Sequence, residues 1–161
     1  MDSLMRTLVK VRALLQYYQG AFIFYSGLGR AHVRLHDYGV LCLRRAADKG
    51  QQDALMLIGM RLTYRGVNRE YKVVGIKYLR ESANLGSVQS QFMLAEALTD
   101  ESLAIEKFDE EEIQNLYESA AHQGHKMAAL RLSKAYDQGL WGLSINQNKA
   151  EYWSQQFFSG Q

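Results

Sequence analysis

Apolar and small residues recur along this chain in steps of three, one, three and one. Gly39, Cys42, Leu43, Ala46 and Ala47 form the first such set, and Gly75, Tyr78, Leu79, Ser82 and Ala83 the second. Ile113, Leu116, Tyr117, Ala120 and Ala121 form the third, and Ala150, Trp153, Ser154, Phe157 and Phe158 the fourth. This spacing traces one face of a 3.6-residue helix. Behind each of the first three sets stands a glycine, at positions 50, 86 and 124. A glycine just past a helix end supplies the left-handed backbone that a tight reversal needs. A second stripe follows each glycine: Ala54, Ile58, Gly59 and Leu62, then Ser90, Leu94, Ala95 and Leu98, then Ala128, Leu132, Ser133 and Tyr136. Each unit therefore reads as helix, glycine turn, helix. The glycines lie 36 and 38 residues apart, and fixed periods of this size mark stacked repeats.

The third unit, with Ala120-Ala121-His122-Gln123-Gly124, Ala128, Leu132, Tyr136 and Gly139, resembles the Sel1-like repeats, relatives of the tetratricopeptide repeats. Lys149-Ala150-Glu151-Tyr152-Trp153 is similar to the start of a further repeat of that family. The first unit keeps the turn and Leu57-Ile58-Gly59, but has Leu62 where the family has Tyr and places Gly66 one residue late. The second has Ser82, Ser90 and Ala95 at positions of family Ala and Gly, and no glycine follows Leu98. The resemblance spans about residues 38–158. It implies an all-α solenoid of three to four stacked helix-turn-helix repeats in a single domain, 1–161. Residues 1–37 would be an N-terminal capping helix or degenerate repeat; 38–66, 71–98 and 109–139 the repeats; and 148–161 a C-terminal helix.

The resemblance also implies a non-enzymatic interaction module, an adaptor or scaffold that binds a protein or peptide on its concave face. If the helices after each glycine line that face, as in related repeats, the first unit contributes Asp53, Leu57, Met60, Arg61 and Tyr64. The second contributes Gln89, Met93, Glu96 and Asp100, and the third Met127, Arg131, Lys134 and Gln138. Met and Arg suit adaptable protein interfaces. The competing reading is that several of these side chains contact only neighbouring helices. A narrower alternative function is a small cognate inhibitor, such as an immunity protein that neutralises a bacterial toxin.

Ahead of the repeats, Leu4, Leu8, Val11, Leu15, Tyr18, Phe22 and Tyr25 step by four and three, which predicts one long helix over 2–27 that caps the first unit. Arg6, Lys10 and Arg12 mark its polar side and interrupt the run that a signal peptide would need. The stretch Ala13 to Tyr25 contains Gln16, Gln19 and Gly20 and is too short to span a bilayer. A cytoplasmic protein without membrane insertion is therefore expected. The break at Ser26-Gly27-Leu28-Gly29 ends this helix, which also fits the second half of a degenerate leading unit.

Charge changes this picture little. The net formal charge is +2, with +5 over residues 1–50, +2 over 51–98 and −5 over 99–161. No nucleic-acid partner is expected, because no strong basic excess or reading motif accompanies Tyr64-Arg65 and Tyr71-Lys72. A lone cysteine, Cys42, on an inward face excludes an internal disulfide framework and reads as a core thiol. His32 and His36 would share a helical face, but no third ligand has metal-site spacing, so neither a metal nor another cofactor is expected. His122 and His125 flank the third turn, where they suit helix capping. The acidic stretch Asp100, Glu101, Glu106 and Asp109 to Glu112 contains a capping-box spacing at Asp109 and Glu112, and its first part is a candidate contact loop. Trp141 is an interface anchor unless it tucks under the last helices. No phosphate loop, nucleophile elbow or His-Glu-x-x-His pattern is present, so no enzyme is expected. A homodimer through the terminal helices stays open.

Overall fold

The computed structural model of the chain describes residues 2–26, 32–100, 103 and 109–159. Among them are eight helices and no strand: α1 (Asp2–Tyr25), α2 (Val33–Ala47), α3 (Gln52–Arg65), α4 (Arg69–Asn84), α5 (Val88–Thr99), α6 (Glu110–His122), α7 (Lys126–Gln138) and α8 (Gln147–Phe158). They fall into two compact units, Met1–Leu85 with α1 to α4 and Gly86–Gln161 with α5 to α8. Within each unit every helix packs on the next in sequence. Gly27 to Gly29 of the break, and Glu101 and Glu106 of the acidic stretch, lie outside the described residues.

All three turn glycines are left-handed, with φ of 76° at Gly50, 90° at Gly86 and 88° at Gly124. An added Cβ would meet nothing within 4 Å at any of them. The backbone angle, not lack of space, therefore selects glycine there. Two of the turns close identically. Gln51 N–H donates to Ala46 O and Gly50 N–H to Ala47 O, while His125 N–H donates to Ala120 O and Gly124 N–H to Ala121 O. These 6→1 and 5→2 bonds satisfy the last carbonyls of α2 and α6. The next helix then starts on a side-chain cap: Gln51 accepts from Ala54 N–H, Ser87 from Ser90 N–H, and His125 Nδ1 from Ala128 N–H. Asn68, Asp109 and Asn146 cap α4, α6 and α8 in the same way. The capping role expected of Asp109 and of the histidine pair is thus real for Asp109 and His125. His125, however, caps the start of the following helix rather than the end of α6.

Both repeated stripes point inward. Ala46, Ala54, Ile76, Leu79, Ala95, Ala120, Ala128 and Leu132 have essentially no exposed surface, and Cys42 is a buried free thiol. So many small residues in the core bring helices close. At the α3–α4 crossing, a Cβ on Gly59 would lie 2.9 Å from Leu79 Cγ, 2.9 Å from Leu79 N and 3.1 Å from Gly75 O. At the α1–α2 crossing, a Cβ on Gly20 would meet the same three atoms one repeat earlier: Leu43 Cγ at 2.7 Å, Leu43 N at 3.0 Å and Gly39 O at 2.8 Å. The C-terminal half of α1 therefore occupies the place on α2 that α3 occupies on α4.

One binding-face and two inward assignments are corrected by the structure. Leu57, placed on the binding face by its spacing, is 4% exposed and clusters with Leu43 and Ile58 in the core. Phe158 is 60% exposed. The largest departure is α1. Its buried residues are Ala13, Gly20, Ala21 and Ile23, whereas all seven residues of the Leu4 to Tyr25 stripe are at least half exposed. Small residues and Ile23, which meets Gly39, face α2, and the large residues of the stripe face away.

Candidate functional site

In the first unit, the α3 residues expected to bind are only partly available. Asp53 is exposed and accepts from Gln51 Nε2 at 3.2 Å. Met60 is half-buried and packs on the Ala21, Leu43, Leu57 and Ile58 cluster. Arg61 is half-buried. Its Nη2 donates to His36 Nε2 at 2.7 Å, and its guanidinium lies 5.6 Å from the centre of the Phe24 ring. Since the guanidinium has only donors, His36 Nε2 must be the accepting nitrogen. Nδ1 then carries the proton and faces Asp37 Oδ1 at 3.3 Å. The histidine considered as a metal ligand is thus a relay between α3 and Asp37. His32 stands in extended backbone before α2. Among the described residues, no group of three or more His, Cys, Asp or Glu side chains could hold a metal. Tyr64, at the end of α3, is 42% exposed.

In the second unit, Glu96 on α5 and Arg131 on α7 form a two-pronged pair, Nε to Oε1 at 2.7 Å and Nη2 to Oε2 at 2.7 Å. Tyr117 on α6 donates its hydroxyl to the same Oε1 at 2.7 Å. One carboxylate thus ties three successive helices. Burial pushes the Glu96 carboxyl up, but the bonds from Arg131 and Tyr117 outweigh it and hold the group below the usual carboxylate range. Burial, then the Glu96 bond, pushes the Tyr117 phenol well up, so it stays a donor. Around this centre runs an aromatic file. Trp141 stacks on Tyr117 at 4.8 Å, Tyr117 meets Phe92 edge-on at 6.1 Å, and Phe92 stacks on His125 at 4.2 Å. Trp141 has φ 53°, and its carbonyl accepts from Gln114 Nε2. It is therefore tucked against α6 and not held out as an anchor. Burial pushes the His125 imidazole down, which keeps Nδ1 free to cap α7.

The remaining expected residues ring this centre. Gln89 is exposed and its Oε1 lies 3.3 Å from His125 Nε2. Met93 and Asp100 are half-buried, and Met127, Lys134 and Gln138 are exposed. Sequence spacing placed Glu96 and Arg131 on one face but did not pair them. It missed Tyr117 and Phe92 beside that pair, and His36 and Phe24 as the partners of Arg61. The available signal was the opposite charge of two inward-helix residues one repeat apart.

No family model matches the sequence, and no curated protein is detectably similar to it. Among solved structures the chain is similar to a Sel1 repeat protein from Oxalobacter formigenes, with 22% identity and a TM-score of 0.73 over 92% of this chain. This chain has the Sel1-repeat fold. It spans 59% of the length of that structure. The expected all-α solenoid of helical repeats is thereby shown, and the glycine turns and small-residue crossings are its repeating parts.

In this chain of Sel1-repeat fold the Glu96 contribution to stability has a defined pH dependence. The folded carboxyl ionises at lower pH than its ordinary 4.5. Its stabilisation is therefore complete above that value and is lost as pH falls through the folded one. Urea midpoints of the second unit should drop between about pH 5 and pH 3 more steeply in the wild type than in Glu96→Gln. At neutral pH, Arg131→Met should cost about 1–2 kcal/mol, discounted from a fully buried pair because both side chains keep some solvent. The double variant Glu96→Gln/Arg131→Met should recover part of that loss. Circular dichroism through urea titrations at the two pH values checks all three.

Proposed function

We propose that this chain is a non-enzymatic binding module that holds a protein or peptide against its post-glycine helices. The observation that carries this reading is the face of α7. Met127, Arg131 and Lys134 follow one another at helical spacing, with Arg131 held by Glu96 while Met127 and Lys134 remain exposed. A fixed centre flanked by one flexible apolar and one cationic side chain binds without ordering much of its own surface. In the first unit, Asp53 and Tyr64 offer the corresponding exposed contacts on α3, with Met60 and Arg61 beneath them. Gln89, Met93 and Glu96 extend the α7 face onto α5. No catalytic constellation stands among these residues, and nothing in the set favours nucleic acid. No described helix is long and apolar enough to cross a membrane.

Affinity capture from native lysate with mass spectrometry tests the reading. The wild type is compared with Met127→Ala/Lys134→Glu and with Asp53→Lys/Tyr64→Ala. These positions are exposed, so the fold should persist, as circular dichroism will show. A protein held by the wild type and lost by either variant supports the module, and its identity separates an adaptor from a cognate inhibitor. A partner held equally by all three chains would remove this face from consideration.

A further inference from the structure

The apolar stripe of α1 is the largest unexplained surface on the first unit. Leu4, Leu8, Val11, Leu15, Tyr18, Phe22 and Tyr25 are 50–68% exposed. Their spacing of four and three is a strict 3.5-residue repeat sustained over three heptads, the seam of a helix that packs against another helix. Opposite the stripe, the C-terminal half of α1 is already buried, through Ala13, Gly20, Ala21 and Ile23, while residues 3–12 are exposed on all sides. A helix that is apolar on both sides needs a neighbour on both.

The repeat register identifies what is missing. Gly20 and Gly59 meet the same three atoms on α2 and α4, so α1 from Ala13 onward corresponds to α3 39 positions later, and the earlier part of α1 extends past it. Leu15 and Tyr18 then correspond to Ala54 and Leu57. Those two are 0% and 4% exposed, because Ala54 packs with Ala46 and Ala47, and Leu57 with Leu43, all on α2. In its own repeat α3 is covered by the helix before it, running antiparallel across the Gly50 turn. Among the described residues no helix covers the stripe of α1.

We propose that a second copy of this chain covers this face, the two α1 helices packing antiparallel along their heptad seams so that each stands to the other as α2 stands to α3. The contact is isologous, as a two-fold dimer requires. Charge selects the antiparallel sense. Arg6, Lys10 and Arg12 all lie in the N-terminal half of α1, and its C-terminal half carries no charge. Parallel pairing would bring the cations side by side, whereas antiparallel pairing sends them to opposite ends. It also lays the aromatic end, Tyr18, Phe22 and Tyr25, over the aliphatic end, Leu4, Leu8 and Val11. The seven stripe residues expose on the order of 800 Å² per copy, comparable to the ~800 Å² per partner of a standard stable interface.

Sedimentation and light scattering of the full chain test this, from about 1 to 100 µM protein, where a dimer of moderate affinity would dissociate and re-form. The expected wild-type mass is twice 18.4 kDa at the upper end. Leu15→Asp should run at 18.4 kDa with unchanged helicity, its dimer weakened at least about 100-fold by the buried unpaired charge. Leu8→Gln, one heptad along the seam, serves if Leu15→Asp loses helicity. A spin label introduced by Arg6→Cys should report a label-to-label separation of roughly 20–30 Å for the antiparallel pair, from the 1.5 Å rise per residue. Separations near 10 Å would overturn the antiparallel sense. A wild-type monomer throughout the range would overturn the pairing. So would dimers that survive both seam variants, or a monomer that floats with anionic lipid vesicles.

Discussion

Gly75→Val should destabilise the first unit by about 3 kcal/mol, the upper end of the usual overpacking range. A Cβ at Gly75 would stand 2.4 Å from the backbone N of Thr63, 2.5 Å from its Oγ1 and 2.9 Å from the carbonyl O of Gly59. Two of those atoms are backbone and cannot swing aside, so α3 and α4 must separate. Separation would open the contacts of Ile58, Ile76 and Leu79, all at most 2% exposed. Thr63 itself is fully buried with an unpartnered hydroxyl, so no hydrogen bond there rewards a readjustment. Gly75→Ala decides the cause by sign. Helix propensity alone predicts a gain of about 1 kcal/mol when alanine replaces a mid-helix glycine. The close crossing predicts a net loss. Urea unfolding followed by circular dichroism distinguishes them, and a more stable Gly75→Ala would mean that the helices do not approach this closely. Val73→Ala, a partly exposed position on the same helix, should change stability by no more than about 0.5 kcal/mol.

Tyr117→Ala should cost the second unit about 3–5 kcal/mol, the range for emptying a buried aromatic site. The ring is 1% exposed, lies between Trp141 and Phe92, and its hydroxyl bonds the carboxylate shared with Arg131. Tyr117→Phe separates the ring from the hydroxyl. It should cost only about 1–2 kcal/mol, the value of one hydrogen bond to a charged group that retains some solvent. It should also let the Glu96 carboxyl rise toward the ordinary range, which flattens the acid dependence predicted for the wild type. Equal losses in the two variants would show that the hydroxyl, not the packing, holds the unit together. Calorimetry or urea titration supplies the comparison.

The repeat was legible because its signals are local. Gly50, Gly86 and Gly124 mark left-handed turns, and the small and large residues on either side fall at one helical interval. The pairing of Glu96 with Arg131 was not legible in the same way, because it joins side chains 35 residues apart. Spacing within a helix states which residues share a face, not which partner faces them. The same limit explains α1. Its heptad stripe is the strongest apolar pattern there, so it reads as the core-facing side. Yet contact with α2 goes through Gly20 and Ala21, which carry almost no hydropathy signal and are chosen for closeness, and through Ile23 against Gly39, which lies off the stripe. Leu57 failed in the opposite direction. Its position after the glycine fits a binding face, but the α2–α3 contact is broad enough to cover it.

The placement of the two indoles has a practical consequence. Both tryptophans of the chain, Trp141 and Trp153, lie in the second unit, and the first unit holds tyrosines but no tryptophan. Emission excited selectively from indole is therefore a private optical channel for the second unit, while far-ultraviolet ellipticity sums over both. The two signals should coincide in an unfolding curve only when the units melt together. Trp153 also lies edge-on to the His122 ring at 5.0 Å, which gives the end of α6 a reporter that needs no label.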